Sequence, residues 1–188
     1  MNMEAILSLH LLKTLKKISN KKTRLEQGFT LVELIVVVVI IGILSAIAVP
    51  AFNASADKAK QKEASTILGS YVKAAQAYFT ENSAWPQTRA ELSQFVTVTG
   101  CSTNNAAACK TSAPVNYSGF GGAGNWFSPS GLYEIRWVPG ATSTFTAVPT
   151  GTFANSGYGT SACFNSATGS TKVADSTTKG PNVPAATC

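Results

Sequence analysis

From Leu34 to Val49 the chain is aliphatic, interrupted only by Gly42 and Ser45. With its flanks this apolar run extends from Phe29 to Phe52, 24 residues. As a helix it would be roughly 36 Å long at about 1.5 Å per residue, enough to cross a hydrocarbon core of about 30 Å. Its valines and isoleucines are poor helix formers in water. In lipid a backbone has to satisfy its own hydrogen bonds, and a helix does so whatever the side chains prefer. The pattern therefore predicts a membrane-spanning helix over residues 29–52. The competing reading, a buried helix in a soluble core, sits badly with a run well beyond about 18 apolar residues.

Past Phe52 the pattern changes. Ala64, Ile67, Leu68, Tyr71, Val72, Ala75, Tyr78 and Phe79 recur at helical spacing, with Lys58, Lys60, Lys62, Glu63, Lys73 and Glu81 mostly on other faces. This predicts that the same helix continues over 53–80, with an apolar stripe under a folded domain. The aromatic residues of the stripe read as core. Asn82-Ser83-Ala84-Trp85-Pro86 ends it, and Thr88-x-x-Glu91 has the form of a capping box for a short helix near Ala90 to Phe95.

Residues 81–188 then read as a small head built of short strands and turns. Leu132 to Val138 and Thr142 to Val148 predict a hairpin about Pro139-Gly140-Ala141. Tyr133, Ile135 and Trp137 fall on one face and Glu134, Arg136 and Val138 on the other. Thr160 to Phe164 and Ser170 to Ala174 predict a second pair across Ala167-Thr168-Gly169. The expected class is α+β, a long N-terminal helix packed on a small antiparallel sheet.

Charge supplies direction. Residues 1–28 hold six basic side chains (Lys13, Lys16, Lys17, Lys21, Lys22, Arg24) and two acidic ones (Glu4, Glu26). A positive flank stays cytoplasmic, which places the head outside the cytoplasm. Ala46, Ala48 and Ala51 imitate a signal-peptidase site after the apolar run, but Pro50 and the helical pattern beyond it argue against a cut there. The Gly28-Phe29 junction is the alternative. A cut there removes the leader and leaves the apolar helix on the mature protein.

Glu33 carries the most chemistry. A carboxylate within an apolar span either takes up a proton or finds a cation, and ionisable residues at such depth are functional candidates by default. A side chain one turn inside the span could also snorkel outward with no further role. A cut after Gly28 would free an amine on Phe29, four residues before Glu33 and on the same helix face.

Gly28-Phe29-Thr30-Leu31-Val32-Glu33-Leu34, followed by the run from Val36 to Pro50, resembles the class III signal and first helix of type IV pilins and pseudopilins. The resemblance covers residues 28 to about 52. It implies that a prepilin peptidase cuts after Gly28 and that Phe29 is then N-methylated. It also implies that Glu33 neutralises the N-terminal amine of a neighbouring subunit, which sets the axial stagger of a helix bundle. Gly42 and Pro50 match positions where the helix unwinds locally in assembled filaments; ordinary membrane-helix composition accounts for them equally well. Residues 76–82 are similar to cyanobacterial pilins. The implied partners are further copies of the chain, the peptidase, the pilus assembly platform and, before assembly, the inner membrane.

Cys101, Cys109, Cys163 and Cys188 all lie on the expected outer side, and an even count in an exported domain suggests two disulfides. Three pairings are possible. Sequence locality favours Cys101–Cys109 with Cys163–Cys188, the second closing a C-terminal loop as in many pilins. Zinc is the rival reading, but the spacing fits no finger and the region after the leader contains no His.

Other functions find little support. Beyond the leader nine Lys/Arg face seven Asp/Glu, a weak footprint for nucleic acid. Lys58, Lys60, Lys62 and Lys73 lie on the helix just outside the membrane, where a basic patch more often meets lipid headgroups. Gly119-x-Gly121-x-x-Gly124 has the form of a dinucleotide fingerprint, but Asn125-Trp126-Phe127-Ser128-Pro129 follows it and no βαβ unit is evident. The single His, His10, is in the leader, so no His-based triad is expected in the mature chain. Beyond Glu91 the only acidic residues are Glu134 and Asp175, too few for a calcium site. The expectation is a structural subunit with no enzymatic activity, cofactor or metal. It is made as an inner-membrane precursor and ends in a surface filament serving motility, adhesion or DNA uptake. The alternatives are a type II secretion pseudopilin and a minor DNA-binding or adhesive tip pilin.

Overall fold

The computed structural model describes residues 28–118 and 124–188. His10, the basic leader, and Gly119 and Gly121 of the glycine pattern lie outside the described residues. The chain divides into two compact units, with the boundary between Ile47 and Ala48.

Helix α1 (Leu31–Asn82) contributes to both units. In the first, every aliphatic side chain from Leu34 to Leu44 is exposed. Helix α1 contains a stretch long and apolar enough, by length and composition, to cross a membrane. In the second, Ala64, Leu68, Tyr71, Val72, Ala74 and Ala75 are buried, with Ile67 and Phe79 packed against the same core. The periodic positions thus form the inward stripe. Asp57 and Gln61 are also buried, which extends that stripe with polar residues the apolar pattern does not show.

Helix α2 (Arg89–Leu92) is shorter than expected and begins at a complete capping box. The Thr88 hydroxyl accepts from the Glu91 amide, and Glu91 accepts from the Thr88 amide. Strand β1 (Thr99–Gly100), helix α3 (Ala106–Thr111) and strand β2 (Val115–Asn116) follow. The Asn105 side chain caps α3 by accepting from the Ala107 and Ala108 amides. β1 and β2 pair antiparallel.

The main sheet is an antiparallel meander of β3 (Trp126–Phe127), β4 (Tyr133–Val138), β5 (Thr142–Pro149), β6 (Tyr158–Asn165) and β7 (Thr171–Lys179), in that spatial order. Both expected hairpins are present. The sequence pattern did not show that β5 pairs with β6, which merges them into one sheet. A 3₁₀ turn, Gly151–Phe153, lies between those two strands.

Strand alternation decides what meets α1. Trp126, Tyr133, Ile135, Trp137, Phe145, Ala147, Ala162 and Phe164 fall on one face by register and are all buried. Tyr71 packs edge-on to Trp126 at 5.5 Å between centroids, and Phe79 meets Phe164 at 5.8 Å. Trp137 stacks on Phe145 at 5.6 Å. Such aromatic pairs contribute about 0.5–1.5 kcal/mol each beyond the area they bury.

Candidate functional site

Gly28, Phe29 and Thr30 precede α1 without helical structure, and Thr30 occupies its N-cap. Glu33, at the third helical position, turns back towards it. Glu33 Oε2 accepts from the Thr30 amide at 2.9 Å and from the Thr30 hydroxyl at 2.9 Å. The Glu33 amide in turn donates to Thr30 Oγ1 at 3.2 Å. This is a second capping box, Thr30-x-x-Glu33, of the same form as Thr88-x-x-Glu91. It satisfies two of the amides that every helix start leaves without intrahelical partners. The carboxylate also sits at the positive end of the helix dipole, where negative charge is favoured.

Gly28, Phe29, Thr30 and Glu33 line one open pocket, and the Phe29 side chain is exposed. Both Thr30 donors go to Oε2, which leaves Oε1 able to accept from a further donor. Gly28, Phe29 and Glu33 are thus brought together. Thr30 joins them as a residue that sequence reasoning missed, although the box pattern used at Thr88 would have found it. Gly42 and Pro50 lie farther along α1, which is continuous helix through both.

The head contains two disulfides, Cys101–Cys109 and Cys163–Cys188. The first ties Cys101, the residue after β1, to α3. The backbone at Cys101 also bridges to Phe127 of β3, which links the small sheet to the large one. Gly131 stands against this disulfide with φ +66, and a Cβ there would overlap Cys109 Sγ. The second disulfide ties the final residue to β6.

A polar clasp joins α1 to the far edge of the sheet. Gln61 Nε2 donates to the carbonyls of Gly159 at 2.8 Å and Ser176 at 2.9 Å. Asp57 pairs with Lys60 and Lys179, each at 3.3 Å. Asp175 accepts from Lys62, Ser65 and Thr160. Burial works to raise the Asp175 pKa, but these three hydrogen bonds together with the Lys62 charge outweigh it and hold the carboxyl below its ordinary value. Burial also raises the Tyr71 phenol above its usual value. The partnerships that join α1 to β7 were not legible in the sequence, since those residues are more than 100 positions apart. Among the described residues no group of three or more His, Cys, Asp or Glu side chains is placed to hold a metal ion.

Residues 23–49 match the prokaryotic N-terminal methylation motif. That span holds Gly28, Phe29, Thr30 and Glu33 together. The chain carries this methylation motif. It is 36% identical over 77 residues to the fimbrial protein EcpC of Eikenella corrodens, covering 41% of this chain and 50% of that one. It is 42% identical over 77 residues to the type II secretion system core protein G of Vibrio cholerae, covering 41% and 53%. It is 48% identical over 56 residues to the type IV major pilin protein PilA of Myxococcus xanthus, covering 30% and 26%. The chain thus matches about half the length of the first two relatives. No solved structure matches it. The matched motif and the long apolar helix that follows it make the N-terminal part of the chain similar to these pilin and pseudopilin relatives, and the head adds an antiparallel sheet and two disulfides.

Proposed function

We propose that this chain is the subunit of a type IV pilus or pilus-like surface filament, assembled through the apolar half of α1. A prepilin peptidase cuts the Gly28-Phe29 bond, and the amine so released on Phe29 is N-methylated. The leader keeps the N-terminus cytoplasmic until then, and the precursor waits in the inner membrane with residues 81–188 outside the cytoplasm. An assembly platform then gathers copies so that the amine of one subunit meets Glu33 of another.

One observation carries this reading. Glu33 is the only ionisable residue between Phe29 and Phe52, and its carboxylate uses one oxygen on Thr30 while the other can still accept. A carboxylate in that setting gains most from a cation brought to it, and the released amine is one. Gly42 and Pro50 bracket a stretch that unwinds as subunits pack. Pro50 has no N–H for the Ala46 carbonyl, and Gly42 lowers helix stability.

Glu33→Ala should leave the protein inserted and cut while abolishing filaments, as read by immunoblot of membranes against sheared surface material. A normal filament yield from that variant would refute the proposal.

The match to core protein G favours a second reading, a secretion pseudopilin. The two differ in where the polymer is found. Immunogold labelling with antibody to the head decorates long surface fibres if the chain is a pilin. If it is a pseudopilin, deletion of the chain stops export of secreted enzymes and surface fibres are unlabelled.

A further inference from the structure

Strand β6 is buried on both faces. Its Thr160, Ala162 and Phe164 face the core, while Gly159, Ser161 and Cys163 face the opposite way, yet all six are buried. The C-terminal segment covers this second face. A Cβ at Gly159 would overlap Val183 Cγ2, so the valine is seated directly over the glycine backbone. Ala186 is buried beyond it, and Cys188 reaches Cys163. The segment forms no strand or helix after Gly180. Its anchors are the Gly180 amide on the Gly157 carbonyl, the Val183 seat, a 3.4 Å hydrogen bond from Asn165 Nδ2 to the Cys188 carbonyl, and the disulfide.

Four thiols allow three pairings, so something has to direct Cys188 to Cys163. Loop length does so weakly. The Cys163–Cys188 pair has a sequence separation of 25. Closure onto Cys109 instead would make a loop about three times longer, disfavoured only about five-fold by a three-halves-power dependence. We infer that the Val183–Gly159 seat is the specificity-determining element of this crosslink: it lays the tail across β6 before oxidation and so delivers Cys188 to Cys163. This is independent of how the filament assembles.

The bond-forming step is ordinary thiol–disulfide exchange. One thiolate attacks a small-molecule disulfide and releases a thiol. The second thiolate then attacks the mixed disulfide and releases the other. The protein loses two electrons and two protons, and the oxidant is reduced to two thiols. The seat raises the local concentration of the second thiol at the first.

The test uses the full-length chain in detergent, reduced and then re-oxidised in a glutathione redox buffer, with disulfides mapped by mass spectrometry. Wild type should regain both native pairs. Val183→Ser and Gly159→Ala should still form Cys101–Cys109, while Cys163–Cys188 forms at least about five-fold more slowly and Cys188 accumulates as a glutathione adduct or in a wrong pair. Val183→Ile, which refills the seat, should restore native pairing. Recovery of Cys163–Cys188 at wild-type rate in both seat variants overturns the inference.

A second measurement avoids the crosslink altogether. In Cys188→Ser no such bond can form, and Cys163 should stay shielded from alkylation; adding Val183→Ser should expose it at least ten-fold. Equal alkylation rates in those two chains would also overturn the inference.

Discussion

Within α1, the stretch from Leu34 to Leu44 is exposed on every face, whereas from Asp57 to Ala75 one side of the helix is buried every three or four residues. Both stretches are helical and rich in apolar residues. They differ in what covers them. The second has its partner in the same chain, the inner face of a sheet, so its sequence carries a period and places small and large side chains to fit Trp126, Phe145 and Phe164. The first has no such partner among the described residues, and its sequence is uniform. A helix that meets lipid or many copies of itself has no preferred side to mark.

The largest break of this contrast is expected in the core. Phe145→Ala should destabilise the head by about 3–5 kcal/mol, read as a lower urea midpoint by near-UV signal. Ile40→Ala, which removes a similarly apolar group from the uniform stretch, should leave that midpoint unchanged. A comparable loss from both would erase the distinction between the two stretches.

Ile40→Lys tests the same boundary from the other side. A charge at the centre of the span costs about 2.5–3.5 kcal/mol of insertion. The other aliphatic residues of the span, at about −0.3 to −0.6 kcal/mol each, outweigh that cost, so the variant should still insert but resist carbonate extraction less than wild type, with the head's melting behaviour intact.

Gln61→Ala comes next, at about 1–3 kcal/mol of head stability, because the carbonyls of Gly159 and Ser176 lose a buried donor. It sharpens the comparison by showing that the buried half is fixed by polar contacts as well as by its apolar stripe.

The smallest effect belongs to Asp175. Its folded-state pKa lies below the unfolded value, so its contribution is fully present above the ordinary carboxylate range. It is lost as pH falls through the lower folded value. Head stability should therefore decline on acidification across that window, and Asp175→Asn should flatten the decline in a series of urea midpoints. An unchanged slope in that variant would assign the acid sensitivity elsewhere.

Some of this architecture could be read directly from residue order. The hairpin β4–β5 was visible because Tyr133, Ile135 and Trp137 alternate with Glu134, Arg136 and Val138 around a Pro-Gly turn. The capping box at Thr88 was visible because it needs only four consecutive residues. The box at Thr30 has the same four-residue signature. By contrast, α3 and the short strands β1, β2 and β3 left no periodic signal. Elements of two to six residues are too brief to show one, and they are held by neighbours distant in sequence.

Residue order by itself determined the apolar span, the acid at position 33 and the stripe that continues into the head. Each is a local pattern answering to a uniform surrounding, whether lipid or a core. The tertiary structure decided how two hairpins become one sheet, and how Asp57, Gln61 and Asp175 on α1 and β7 find their partners across it. It also decided that β6 is covered twice. Those outcomes depend on close approach of segments far apart along the chain, and such approach is set by packing geometry that no short window of sequence contains.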